Sequence, residues 1–206
     1  MNQASRSGRG GRPAQISVDR ITAAAIEVVD REGLDALTMR RIGAHLGVAA
    51  MSLYRHLPGR DAILSAVVDQ LFASAVADLD PGPAWPDALT AFAVAYRRML
   101  LEHPNAVPLL ATHPVSPDTA VPALAALLER FTAAGVPEDE ALIRIQSVGV
   151  FTLGHALAQV GSGGSTEDHD TGPAAPDPTS LDYYQRWFDA GLQALVAGFE
   201  HHRTPE

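Results

Sequence analysis

The stretch Thr38-Met-Arg-Arg-Ile-Gly-Ala-His-Leu-Gly-Val-Ala-Ala-Met-Ser-Leu-Tyr-Arg-His-Leu57 divides at Gly47-Val48. Before the break, Met39, Ile42, Gly43 and Leu46 fall at i, i+3, i+4 and i+7, the apolar stripe of a short helix. After it, Val48, Met51, Leu53, Tyr54 and Leu57 give a second short helix with its own buried face. Two such helices joined by a tight glycine turn form a helix-turn-helix. Gly47 is placed to supply the positive φ of the turn, and Gly43, with no side chain, lets the helices approach closely. Thr38 is placed to cap the first helix.

The outward complement of this stretch is basic throughout. Arg40, Arg41, His45, Ser52, Tyr54, Arg55, His56 and Arg60 are interrupted by no acid between Asp35 and Asp61. A helical hairpin that is merely part of a core normally carries mixed signs on its wet face, so a phosphate backbone is the partner this surface fits.

The whole chain has 206 residues and a formal net charge of −9, unlike a nucleic-acid binder until it is divided. Residues 1–60 hold nine arginines against five acids, and the remainder six against nineteen, so +4 stands beside −13. That asymmetry confines any nucleic-acid surface to one end. With 47% hydrophobic residues the chain can bury a substantial core. It has no cysteine, hence no disulfide framework or thiolate metal site, which fits a reducing cytosol. Residues 1–16 lack the apolar run of a secretory signal. Ala141 to Val160 comes nearest to a membrane span, but Arg144, Gln146, His155 and Gln159 interrupt it, which favours a buried helix. The expected location is cytoplasmic, away from any membrane.

In chain order, residues 1–15 read as a disordered basic arm, with two uses open: a solubilising tail, or an arm touching DNA. A helix is expected from Val18 to Glu32, capped by Ser17 and stopped by Gly33. Another begins after Pro58-Gly59 and runs to Leu79. Asp80-Pro-Gly-Pro83 breaks the chain, and a helix follows to His103-Pro104 with Leu89, Phe92, Tyr96 and Leu100 on one face. A short piece over Asn105–Ala111 is cut by prolines. One helix is expected over Ser116–Ala134, then one from Glu138 to Val160 that is apolar nearly all round. Residues 161–178 read as a flexible loop, and a last helix spans Leu181–His201. The expectation is an all-α protein of about nine helices. Residues 1–15 are the arm, 16–62 the basic helix-turn-helix head, and 63–206 the acidic helical body.

The run Leu37-Thr-Met-Arg-Arg-Ile, Leu46-Gly-Val48, Ser52-Leu-Tyr-Arg-His56 and Arg60-Asp-Ala-Ile-Leu64 resembles the N-terminal domain of the tetracycline-repressor (TetR) family. It departs at Ala49-Ala50-Met51, where that family commonly has polar residues. The resemblance implies a homodimer reading a palindromic operator in double-stranded DNA. Arg40 would read a base, Ala50 and Met51 would touch thymine methyls, and Thr38, Ser52, Tyr54, His56 and Arg60 would hold phosphates. Arg60 in a first helical turn opposes the helix dipole, which suits a phosphate contact or is ordinary surface variation. Tyr96-Arg-Arg-Met-Leu-Leu101, Thr112-His-Pro114 and Val148-Gly-Val-Phe-Thr-Leu-Gly154 resemble the C-terminal domain of the tetracycline-repressor subclass. That likeness implies a four-helix dimer interface involving Gly154, Ala158, Trp187, Leu192 and Leu195. It also implies an effector cavity lined by Phe92, Tyr96, Leu109, Thr112, Phe151 and His155.

Where the tetracycline-binding members hold the drug and its magnesium with polar side chains, this chain has Ala73-Ser-Ala-Val76, Phe92 and Leu109, keeping only Thr112. The resemblance therefore points to an apolar or aromatic effector of unknown identity rather than a magnesium chelate. No catalytic residue, cofactor or metal site is expected: there is no phosphate-binding glycine loop, no H-E-x-x-H and no nucleophile in a known context. His201-His202 and Asp168-His-Asp170 read as solvated termini and loop; His103, His113 and His155 line a cavity or serve as hydrogen-bonded core and cap residues. The expected function is a ligand-responsive repressor released by its effector. The alternatives are an activator, a member without effector, or a helical carrier or enzyme with a vestigial head.

Overall fold

The computed structural model describes residues 16–162 and 180–201. Ten α-helices follow in order: α1 (Val18–Glu32), α2 (Met39–Leu46), α3 (Ala50–Leu53), α4 (Arg60–Val76), α5 (Trp85–Glu102), α6 (Val107–Thr112), α7 (Pro117–Ala123), α8 (Ala125–Ala133), α9 (Glu138–Ser162) and α10 (Leu181–His201). Single 3-10 turns occupy Leu34–Ala36 and Pro104–Ala106, and no strand occurs among the described residues. The all-α expectation holds. The basic arm over 1–15, Asp168-His-Asp170 and His202 lie outside the described residues. Of the loop expected over 161–178, Gly161 and Ser162 continue α9 and the rest also lies outside them.

The first helix begins where Ser17 Oγ accepts the Arg20 amide at 3.3 Å and ends where Gly33, at φ 82°, turns its amide onto Val29 O. Its inner face of Ile21, Ala24, Ala25, Val28 and Val29 meets Leu37, Ile42 and Leu53, all fully or nearly fully buried. The next long helix, α4, is apolar enough on its several sides to serve two neighbours. Ile63, Leu64, Val67 and Val68 share the core with α1, and Leu71, Phe72, Ala75 and Val76 share it with α5 and α7. It therefore joins the N-terminal layer to the rest without a break.

The single helix expected over Ser116–Ala134 is two. Pro122 has no amide to donate and its ring crowds the preceding turn, so the helix is interrupted at Leu124 (φ −97°, ψ 4°). Its start is capped from another element: Asp69 of α4 accepts the Ser116 amide at 2.8 Å and the Ser116 hydroxyl at 2.7 Å. The second piece stops at Gly135 (φ 71°), where Val136 N returns to Phe131 O and Gly135 N to Thr132 O, each at 3.0 Å.

The long helix α9 has the length and apolarity to cross a membrane, yet Ala141, Ile145, Val148, Thr152, His155 and Ala156 are buried within the fold. Its neighbours are α5, α6, α8 and α10. Near its start the buried Arg144 is paired with Glu140 at 3.0 Å and lies 5.0 Å from the Trp85 ring centre and 5.9 Å from that of Phe199. Trp85 in turn stacks on Phe131 at 5.2 Å. One cation thus ties together α5, α8, α9 and α10, and its aromatic neighbours compensate for its removal from water.

Candidate nucleic-acid interface and ligand site

The turn between α2 and α3 follows from its glycines. Gly47 sits at φ 69°, ψ 31°; its amide returns to Ala44 O at 3.3 Å and that of Val48 to Gly43 O at 2.8 Å, the paired closure of a Schellman motif. A Cβ on Gly43 would stand 2.9 Å from Val48 O and 3.3 Å from Ala50 N, so the two backbones pack at a distance only glycine allows. Thr38 Oγ1 accepts the Arg41 amide at 3.1 Å and caps α2. The second helix is shorter than the expected Val48–Leu57. It spans four residues and passes into a turn over Tyr54–His56, because Pro58 disfavours helical geometry at Leu57.

Leu53 and Leu57, both buried, anchor this segment at either end. Met51 is consequently 74% and Tyr54 45% exposed, with Ala50 and Ser52 half-buried between them. Thr38, Arg40, Arg55, His56 and Arg60 are exposed on the same N-terminal layer. The basic surface is narrower than composition suggests. Arg41 is committed to Glu32, its Nε donating to both carboxylate oxygens at 2.8 and 2.9 Å and Nη2 donating to Oε1. That hydrogen bond holds the Glu32 carboxyl below its ordinary range. His45 faces Glu27 at 3.2 Å. Arg60 Nε donates to Leu37 O at 3.4 Å, so it also steadies the turn before α2. Arg40 and Arg55 are in no ion pair among the described residues.

The N-terminal layer is also clamped to the rest of the fold by a contact that sequence reasoning did not specify. At the end of α5, His103 Nδ1 lies 2.9 and 3.0 Å from the two oxygens of Asp30, near the end of α1. Asn105 Nδ2 donates to Asp30 O at 2.9 Å. His103 is thus a bonded capping residue, not a cavity wall. His113 Nδ1 likewise meets Thr112 Oγ1 at 3.1 Å.

The residues expected around one effector cavity fall in separate places. Phe92 and Tyr96 stack at 5.8 Å with Phe72 edge-on to both, in the buried core between α4 and α5. Burial pushes the Tyr96 phenol up to about 12. Leu109 is buried on α6, whereas Thr112 is exposed there, its hydroxyl donating to Pro108 O at 3.0 Å. Phe151 and His155 belong to the seam between α9 and α10. Phe151 stacks on Phe188 at 5.8 Å, and His155 is boxed by Phe151, Tyr184, Trp187 and Phe188. The Phe92 ring lies against Gly149, one to two turns earlier on α9, while the aromatic stripe of α10 takes up His155. Its Nε2 is 2.9 Å from Tyr184 O, and since a carbonyl only accepts, Nε2 carries the proton. Its Nδ1 is buried without a partner among the described residues, as is Thr152 Oγ1 one turn before. Burial, then the charge of Arg97, depress the His155 pKa.

Two surface clefts border α5. One of about 450 Å³ is lined by Asp78, Asp80, Asp87, Val94 and Arg98 among others. One of about 360 Å³ lies against α10 and is lined by Val94, Arg97, Arg98, Leu101, Glu102, Gln185 and Phe188. Neither is lined by Phe92, Tyr96, Leu109, Thr112, Phe151 or His155.

The residues expected at a dimer interface also divide. Gly154 and Trp187 are exposed, and Ala158 and Leu195 half-buried. Leu192 is 4% exposed and already belongs to the core of the single chain, with Tyr184, Phe188 and Val196. Among the described residues an apolar stripe of Ile143, Val150 and Leu157 on α9, flanking Gly154, is also uncovered.

A glycine-closed helix-turn-helix with its second helix turned outward, carried on an all-α body, defines a DNA-binding transcriptional regulator rather than an enzyme. The family described as bacterial regulatory proteins, tetR family, matches residues 21–67, and the tetracyclin repressor-like C-terminal domain matches 79–174. The chain belongs to the TetR family. Among its relatives is an HTH-type transcriptional regulator of Saccharopolyspora erythraea, 29% identical over 89% of this chain and 84% of that protein. Apo ActR of Streptomyces coelicolor is 30% identical, with 90% of this chain and 97% of that one covered at a TM-score of 0.69. BioQ with its double-stranded DNA operator is 26% identical over 91% of this chain and all of that one, at a TM-score of 0.65.

Proposed function

We propose that this chain is a ligand-responsive repressor that binds a palindromic operator as a homodimer. The observation carrying the reading is the short α3 and its following turn. They hold Met51 and Tyr54 outward and Ser52 half-exposed on a glycine-fixed frame, with Arg40 and Arg55, in no ion pair among the described residues, on the same layer. Arg40, Ala50 and Met51 face bases in this reading, and Thr38, Ser52, Tyr54, His56 and Arg60 hold phosphates. The operator-bound BioQ supports the DNA partner. Residues 16–62 act as the head and 63–206 as the body. In the body the uncovered stripe of α9 and the outer face of α10, including Trp187 and Leu195, pair with their copies. The reported complex of ActR with actinorhodin supports a small-molecule effector. Phe92, Tyr96 and Leu109 make the core that such a molecule would part, and their chemistry favours an apolar or aromatic compound.

The test is a gel shift of the full chain on the DNA upstream of its own gene, with footprinting to locate the protected site. A two-fold symmetric footprint is expected, abolished together with the shift when Tyr54 and Arg55 are both changed to alanine. Unchanged affinity in that double variant would overturn the assignment of this surface.

A further inference from the structure

The seam between α5 and α10 holds positive charge that no acid among the described residues contacts directly. The Arg97 guanidinium lies 4.7 Å from the centre of the Phe188 ring. Its Nη1 donates to Gln185 Oε1 at 2.8 Å and its Nη2 to Gln159 Oε1 at 3.0 Å. Both acceptors are neutral amides, and Nε is buried with no acceptor among the described residues. Gln185 Nε2 in turn donates to Asp189 at 2.9 Å, and the Asp189 charge opposes, without cancelling, the effect of desolvation on Arg97. Removal from water consequently leaves Arg97 below the ordinary arginine range. The next residue, Arg98, is exposed and in no ion pair among the described residues.

A seam that only joined helices would not need this arrangement. Phe188 already stacks on Phe151, and the amides of Gln159 and Gln185 could bond a neutral partner. A guanidinium set against amides bears a desolvation cost that an anion would offset. Beside it lies the cleft of about 360 Å³, whose lining combines both arginines, Gln185 and Glu102 with apolar Val94, Leu101 and Phe188. Val94 is 53% exposed at this place and at the adjoining cleft, an uncovered apolar surface beside two cations. The volume is that of a small-molecule site.

We propose that this seam binds a small aromatic carboxylate, its ring on Val94, Leu101 and Phe188 and its carboxylate on the exposed Arg98, beside the charge of Arg97. The site is separate from the core of Phe92, Tyr96 and Leu109, and its occupation does not depend on how the chain engages DNA.

Titration calorimetry of the full chain with 2-naphthoate, and with neutral 2-naphthamide of the same shape, tests this. One naphthoate per chain is expected, bound about tenfold or more tightly than the amide. Arg98→Gln, an exposed change, should weaken naphthoate about tenfold while leaving the melting temperature and helical circular dichroism as they are. Arg97→Gln should weaken it similarly, and Arg186→Gln, elsewhere on α10, should not alter it. Equal affinity for acid and amide, no heat with millimolar naphthoate, or a naphthoate affinity unmoved in a folded Arg98→Gln would each overturn the proposal.

Discussion

Arg40 and Arg41 are adjacent in the chain and have different work. Arg41 forks onto Glu32 and ties α2 to α1, whereas Arg40 is exposed and in no ion pair among the described residues. Arg40→Ala should therefore relax discrimination at one base position by about 1–3 kcal/mol, while Arg60→Ala should weaken every site and flatten the salt dependence. Titrations on variant operators at several salt concentrations separate the two; uniform weakening by Arg40→Ala would show it to be a phosphate contact. His155 offers a test of a different kind. Its folded pKa is depressed, so on acidification the unfolded chain takes up a proton that the folded one refuses. Stability attributable to this residue is thus intact above the ordinary histidine pKa and declines as pH falls below about 6.5. His155→Gln should reduce the slope of melting temperature against pH in that window, and an identical slope would contradict the assignment of the buried neutral ring.

Helices were legible in the sequence where their determinants are local, and less so where partners come from far along the chain. The α2–α3 turn could be read because Gly43 and Gly47 act on neighbours within a few residues. The break at Leu124 was missed although Pro122 marks it, because the apolar spacing of Val121, Leu124, Leu128 and Phe131 continues through it. Phe151 and His155 carried no local sign of which helix would cover them. That was settled by Tyr184, Trp187 and Phe188, about thirty residues on, beyond the reach of any periodicity argument. Arg97 was not singled out, because its amide partners Gln159 and Gln185 lie more than sixty residues along the chain. The α9–α10 seam makes its own prediction. A Cβ on Gly191 would stand 2.5 Å from Phe151 Cζ and 2.7 Å from Cε2, against a ring already stacked on Phe188. Gly191→Ala should therefore destabilise the chain by about 1–3 kcal/mol despite improved helix propensity. Equilibrium denaturation reads the outcome, and a stabilised variant would mean that the seam yields freely.

At the scale of the whole molecule, the exposed Ile143, Val150 and Leu157 form an apolar stripe that the described residues of a single chain do not cover. A dimer pairing this stripe and α10 with their copies would bury about 2,000 Å² or more. Val150→Arg should yield a folded monomer that no longer binds operator, whereas Leu192→Arg should unfold the chain, since Leu192 lies in the core of one protomer. Sedimentation with circular dichroism distinguishes them; a dimeric Val150→Arg would place the interface elsewhere. The ligand expectation is also a whole-molecule matter. With Phe92 and Leu109 buried among apolar groups, tetracycline with magnesium should neither raise the melting temperature nor release DNA. Release at micromolar drug that depends on magnesium would refute this.

The clamp of Asp30 by His103 and Asn105 has a mechanical meaning. The N-terminal layer is fastened to the remainder through the unbroken α4 and through this second attachment. An object pinned at two places keeps one easy freedom, rotation about the line joining the pins. Over the 17 residues of α4, about 25 Å, a swing of about 5° carries the far end about 2 Å. In a symmetric pair the two arcs add, so a displacement too small to disturb any single packing contact becomes a gauge error at the groove.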